Sequence, residues 1–116
     1  MALLAAADSG SISRCRQLLA AGSDVEESDP VTQHTPLHKA AILSHERIIQ
    51  LLISHKADVN SRDRTEGTPL ICASQEGHLA SVLTLLQAGA DPLLADNHGF
   101  LPDLRSPRKE RTKILF

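Results

Sequence analysis

The residues that could do chemistry in this chain are six histidines and two cysteines. Cys15 and Cys72 lie far apart and belong to no C-x-x-C pair, so neither a disulfide nor a zinc site is predicted. A nucleophilic cysteine also needs a paired base, and the sequence indicates none. The two glycine patterns that bind phosphates, G-x-x-x-x-G-K-[ST] and G-x-G-x-x-G, are both missing from the sequence. We therefore expect no catalytic residue, no metal ion and no cofactor.

Several of the histidines belong to sequence words that recur at a fixed spacing. Residues 35–40 read TPLHKA, and residues 68–73, 33 positions later, read TPLICA. The words that follow each copy recur in register, including Ala-Asp at 57–58 and 90–91. Separate sequence motifs that recur with the same spacing indicate one structural unit repeated along the chain.

This pattern resembles the ankyrin repeat, a unit of about 33 residues that carries the word T-P-L-H-x-A. The resemblance covers about residues 2–104, with repeats at about 2–34, 35–67 and 68–100 and a partial repeat at 101–104. It implies an all-α fold, a short ankyrin-repeat solenoid of stacked antiparallel helix pairs with hairpin-like loops. It also implies a structural role for His38, as a partner of the backbone of adjoining loops, and turn positions for His45 and His78.

Local signals predict where the helices begin and end. Thr35 and Thr68 can cap a helix with the hydroxyl, and a proline fits the first helical position that follows. We expect helices at about 2–8, 12–21, 36–43 and 46–54, and a further pair in the third repeat. Lys56 stands where Gly22 and Gly89 stand in the other repeats, which should cost roughly 1 kcal/mol if that position needs a positive φ. The first repeat lacks the Thr-Pro opening, as in a terminal capping repeat or in a sequence that starts inside a longer array.

The candidate binding surface consists of positions that the repeat does not need for its own packing. In ankyrin proteins the loops and first helices line a concave face, and the resemblance implies that this face includes Asp8, Ser9, Ile42, Leu43, Arg64, Thr65, Gly67, Gln75, Glu76, Asn97, His98 and Phe100. We hypothesise that Ile42, Leu43 and Phe100 anchor a partner protein. Arg64, Gln75 and Glu76 would form the rim. The alternative is that Ile42 and Leu43 pack beneath their own loop and that Phe100 covers the C-terminal repeat.

A narrower signal surrounds Asn60. The Asp58-Val59-Asn60 segment, with Leu52 before it, is similar to the sequence in which ankyrin repeats are hydroxylated at the asparagine β-carbon. The alternative is structural, because an asparagine side chain can bond local backbone and stabilise a turn.

The C-terminal segment, residues 105–116, is expected to be a mobile basic tail, since it holds five basic residues against Glu110 alone. It could be a solvated segment, a nuclear address or a phosphate-binding strip, and Ser106 resembles a proline-directed kinase site. The net charge of −2 argues against a general nucleic-acid binder. The apolar N-terminus has no basic leader and is too short for a signal peptide, so an intracellular protein, cytoplasmic or nuclear, is expected.

Together these observations predict a non-enzymatic scaffold or adaptor that binds another protein through the concave face. We expect a monomer without a small-molecule substrate. The alternative is a role for the tail, in nuclear targeting or in contact with nucleic acid or an acidic membrane; it predicts steep salt dependence and loss of function when the tail is deleted.

Overall fold

The computed structural model describes residues 2–104, and in this range the chain forms six helices and no strand. The helices are α1 (Ala2–Ser9), α2 (Ile12–Ala20), α3 (Pro36–Ile42), α4 (Glu46–Ser54), α5 (Pro69–Glu76) and α6 (Leu79–Gln87). The all-α solenoid of helix pairs is thus confirmed. Among these helices none has the length and apolar character that a membrane crossing requires. The expectations for the basic tail and for Ser106 fall on residues 105–116, outside the described range.

The helix starts follow the predicted capping chemistry. The hydroxyl oxygen of Thr35 accepts a hydrogen bond from the backbone N–H of His38, and Thr68 does the same for Ile71. The first repeat has no threonine here, and instead Glu27 Oε1 accepts from the N–H of Leu4 at 2.9 Å. A residue of the first long loop therefore satisfies the N-terminal end of α1.

The second helices end in Schellman turns. After α2 the N–H of Ser23 donates to Leu18 O at 3.0 Å and that of Gly22 donates to Leu19 O at 3.1 Å, with Gly22 at φ 92°. After α4 the same pair of bonds forms around Lys56, which takes φ 67°. The positive φ expected at Lys56 is confirmed, and a Cβ is strained in this region.

We predict that Lys56→Gly raises the free energy of unfolding by about 1 kcal/mol, because glycine adopts the left-handed conformation without a Cβ clash. Urea denaturation followed by circular dichroism measures the change. Lys56→Ala is the matched control, since it removes the same charge but keeps the Cβ. An equal gain in both variants would assign the effect to charge and not to backbone strain.

The helices stack in two layers. The first helices α1, α3 and α5 pack side by side in one layer, and the second helices α2, α4 and α6 form the other. Within each repeat the first helix packs against the second. Equivalent positions of successive repeats fill the core: Leu3, Leu37 and Leu70 on the first helices are all buried. This repetition gives each layer a continuous apolar interior without large aromatic residues.

One aspartate organises each long loop. Oδ1 of Asp29, Asp63 and Asp96 accepts hydrogen bonds from backbone N–H groups two to four residues further on. Neighbouring loops are joined by backbone bonds, from Arg64 N–H to Thr32 O at 2.9 Å and from Asn97 N–H to Thr65 O at 2.8 Å. The loops therefore form one fixed edge beside the first helices.

Candidate functional site

A groove of about 480 Å³ runs between this edge and the first helices. We call it the loop–helix groove. It is lined by Val31, Thr32 and His34 of the first loop, Ile42 of α3, Asp63, Arg64 and Thr65 of the second loop, and Cys72, Gln75 and Glu76 of α5. Two loops and two helices from adjacent repeats thus contribute to one concavity.

Five of the predicted partner-binding residues meet in this groove: Ile42, Arg64, Thr65, Gln75 and Glu76. Ile42 is half-buried, whereas the other four are exposed. The groove consequently has an apolar side chain within it and polar or charged side chains along its margins, as protein-binding sites commonly do.

Three predicted residues lie elsewhere. Leu43, the C-cap of α3, is 42% exposed, and Phe100, in the last loop, is 63% exposed. The rings of Phe100 and His98 stand beside each other with centroids 6.3 Å apart. None of the three lines the groove, so that the proposed set of Ile42, Leu43 and Phe100 does not form one apolar patch there. Their contact with a partner stays a prediction.

Of the remaining surface positions, Asp8, Ser9 and Asn97 are exposed, while Gly67 is buried. Sequence reasoning had overlooked the first loop, which supplies Val31, an apolar residue 70% exposed at the groove. A signal was present, because Val31 stands 33 residues before Arg64, which is one of the predicted partner-binding residues.

His34, Asp63 and Cys72 form a polar cluster at the groove. His34 Nε2 lies 3.2 Å from Asp63 Oδ2, and Cys72 Sγ lies 4.0 Å from the same oxygen. Burial raises the pKa of Asp63, but hydrogen bonds from Gly67 and Thr65 outweigh it and hold that pKa below its ordinary value. Burial, reinforced by the Asp63 charge, raises the pKa of Cys72 to about 12. Near neutral pH the carboxylate is therefore ionised and the thiol protonated.

His38 has the structural role that the resemblance implied. It is fully buried; Nε2–H donates to Gly67 O of the next loop at 2.8 Å, and Nδ1 accepts from Thr35 N–H at 3.2 Å. Burial lowers the pKa of His38 to about 4, so the ring is neutral at physiological pH. His45 and His78 occupy the N-cap positions of α4 and α6, as expected of turn residues.

Asn60 links two repeats. Its Oδ1 accepts a hydrogen bond from the N–H of Asp91 at 2.8 Å, so the side chain bonds backbone of the next repeat and not the local backbone expected from the sequence. Glu26 in the preceding loop makes the equivalent bond to the N–H of Asp58 at 2.5 Å. Hydroxylation of Asn60 stays a prediction.

Comparison with known proteins places these features in a family. The model for ankyrin repeats in three copies matches residues 3–96. The chain is 42% identical over 100 residues to human Ankyrin repeat and SOCS box protein 6, covering 84% of this chain and 24% of that protein. It is 37% identical over 99 residues to the zebrafish Putative palmitoyltransferase ZDHHC13, covering 84% of this chain and 15% of that protein.

A third relative, the Palmitoyltransferase Hip14 of Drosophila melanogaster, is 40% identical over 91 residues, which cover 78% of this chain and 14% of that protein. The chain thus spans about a quarter or less of the length of these relatives. The ankyrin repeat model, in contrast, covers most of this chain. On these grounds the chain belongs to the ankyrin repeat family.

Proposed function

We propose that this chain is a scaffold or adaptor module that binds a partner protein in the loop–helix groove. Ankyrin repeats are in general protein–protein interaction modules and a non-catalytic fold. The observation that carries the proposal is the meeting of Ile42, Arg64, Thr65, Gln75 and Glu76 in one groove. None of these side chains belongs to the buried core, and four of them are exposed.

The groove suits a short protein segment with one apolar side chain and mixed polarity around it. Ile42 and Val31 offer apolar contact, while Arg64 and Glu76 add charges of opposite sign. A groove of about 480 Å³ is in the size range of ordinary ligand-binding concavities. The backbone bonds between loops hold this surface in place before binding, which limits the conformational entropy lost on association.

The relatives include a SOCS box protein and palmitoyltransferases, and the aligned part of each is a small fraction of its length. We accordingly propose recognition of a protein as the activity of this chain, and neither acyl transfer nor a SOCS-box function. We further propose that it acts as a monomer inside the cell.

We predict that Ile42→Ser weakens partner binding at least about tenfold, because central contacts dominate the energy of such interfaces. Glu76→Arg should weaken it by a similar factor, because the reversed charge at the margin of the groove opposes the charge that the partner places there. Tagged wild type and variants, produced in the native cell, are compared by quantitative affinity enrichment. The partner is then produced and its dissociation constant measured for each variant.

The controls lie on another surface of the same molecule. Leu83 on α6 is an apolar residue that is 46% exposed, and Arg47 on α4 is an exposed charged residue. Leu83→Ser and Arg47→Glu should leave binding unchanged, as should deletion of residues 105–116. If either point variant of the control set weakens binding while the groove variants do not, the proposed surface is wrong. Loss of partner binding when residues 105–116 are deleted would favour the electrostatic alternative.

A further inference from the structure

We propose that His34, Asp63 and Cys72 form a binding site for a divalent zinc ion at the loop–helix groove. The three residues come from the loop before α3, the loop before α5 and α5 itself. An imidazole nitrogen, a carboxylate oxygen and a thiolate sulfur are the three kinds of ligand that zinc takes from proteins.

The spacing of the donor atoms is close to that of a zinc complex. One ligand atom from each residue lies within 4.8 Å of the other two. Tetrahedral zinc separates nitrogen, oxygen and sulfur ligands by about 3.3–3.6 Å. The 3.2 Å between His34 Nε2 and Asp63 Oδ2 already fits, whereas Cys72 Sγ, at 4.0 Å from Oδ2, has to approach the other two ligand atoms when the ion binds.

Asp63 is held in the orientation that a metal ligand needs. Its Oδ1 accepts from the N–H of Thr65 at 2.9 Å and from that of Gly67 at 2.8 Å, so the loop fixes the carboxylate. Oδ2 is left to face His34 and Cys72. Hydrogen-bonded support of this kind orients the ligands of metal sites.

The charges also favour a cation. The Asp63 carboxylate attracts a cation, and a cation bound beside it stabilises the thiolate form of Cys72. Binding releases the Cys72 proton to solvent as the zinc–sulfur bond forms, so one proton leaves for each zinc ion bound. Because all three residues line the groove, the fourth ligand position is open to water or to a side chain of a bound partner.

In a simpler interpretation, the side chains of His34, Asp63 and Cys72 serve only to connect the two loops to α5 by hydrogen bonds. The two readings differ in their response to metal. We therefore test the full chain, reduced with a phosphine and freed of chelator, by adding Co²⁺ as a spectroscopic probe and then Zn²⁺. We expect one ion per chain, a thiolate-to-cobalt charge-transfer absorption, and its loss when zinc displaces cobalt.

Variants assign the ligands. Cys72→Ala should abolish the charge-transfer absorption, and both Cys72→Ala and His34→Ala should weaken zinc binding by more than about 100-fold, since even supporting residues cost 10–100-fold. Cys15→Ala is the matched control for a buried cysteine and His55→Ala for a histidine; both should bind as wild type. Circular dichroism confirms that each variant is folded.

A second readout needs no substitution. Zinc should protect Cys72 from alkylation, as seen by peptide mapping, and leave the reactivity of Cys15 unchanged. The proposal is overturned if wild type takes up no stoichiometric zinc, if the cobalt complex lacks thiolate absorption, or if zinc protects both cysteines equally. Partner binding by the groove can survive any of these results, because it is measured with Ile42 and Glu76.

Discussion

Replacing Leu52 by alanine is expected to lower the free energy of unfolding by about 2–5 kcal/mol, the cost of a cavity left by a fully buried leucine. Leu52 is 0% exposed on α4, the middle of the three second helices, which packs against both α2 and α6. A repeat protein is stabilised chiefly by contacts between neighbours, so damage in the middle weakens both interfaces. In a chain of this size such a loss is a large part of the total stability.

Urea denaturation of wild type and Leu52→Ala, followed by circular dichroism, gives the difference. Leu83→Ala is the control, because Leu83 is 46% exposed on α6 and should change stability by no more than about 0.5 kcal/mol. Equal losses in the two variants would mean that the stacked core does not carry the stability. A broadened transition in Leu52→Ala would show the outer repeats unfolding separately.

Much of the fold could be predicted from sequence because its determinants are local and occur more than once. Thr68 and Pro69 mark a helix start by capping chemistry, and the same pair marks the start of α3. The positive φ of Lys56 followed from its alignment with Gly22 and Gly89, and the structure confirms it. A backbone conformation that one repeat requires can be expected at the equivalent position of the next repeat, because both repeats pack in the same way.

The candidate site was harder to predict, since it depends on contacts between positions that are not equivalent. His34 aligns with Gly67, and Cys72 aligns with Lys39, so neither stands out as part of the repeated pattern. They approach each other through Asp63, which follows His34 by 29 residues. Alignment of repeats compares equivalent positions, whereas the groove is formed by the loop of one repeat and the helix of the next.

The surroundings of Leu43 and Asn60 also could not be predicted by aligning the repeats. Alignment assigned Leu43 to the concave face with Ile42, but consecutive residues at a helix end point in different directions, and only Ile42 lines the groove. For Asn60, the sequence indicated a hydrogen-bonding side chain but not its partner, the backbone of the next repeat. The partner of Asn60 depends on the offset between stacked repeats, which no single repeat encodes.

The stability of this chain should depend steeply on pH because of His38. Its folded-state pKa is about 4, against an ordinary value of 6.5, because burial opposes the charged ring. Below pH 6.5 the unfolded chain binds a proton here that the folded chain does not bind until about pH 4. The contribution of the neutral ring to the free energy of unfolding is therefore fully present above pH 6.5. It decreases as the pH is lowered, by about 3 kcal/mol at pH 4.

Two ionisable neighbours, Asp63 and His34, also act on this ring from the packed loops. The Asp63 carboxylate raises the pKa of His38 and the His34 imidazole lowers it, but both effects are smaller than that of burial. The measurement uses a chelator, so that no metal ion alters either neighbour. Asp29 and Asp63 also have lowered pKa values and contribute their own loss of stability at low pH.

A comparison with His38→Gln separates the histidine from these aspartates, since both proteins retain them. Glutamine does not titrate, so the excess stability of wild type over His38→Gln should shrink by about 3 kcal/mol between pH 7 and pH 4. Urea denaturation at several pH values gives this difference. His55→Gln, at an exposed position after α4, is the matched control for replacing a histidine by glutamine. A pH-independent difference for His38→Gln would mean that His38 takes up a proton in the folded protein as readily as in the unfolded chain, and that the bond from Thr35 N–H to Nδ1, which needs an unprotonated Nδ1, does not oppose protonation.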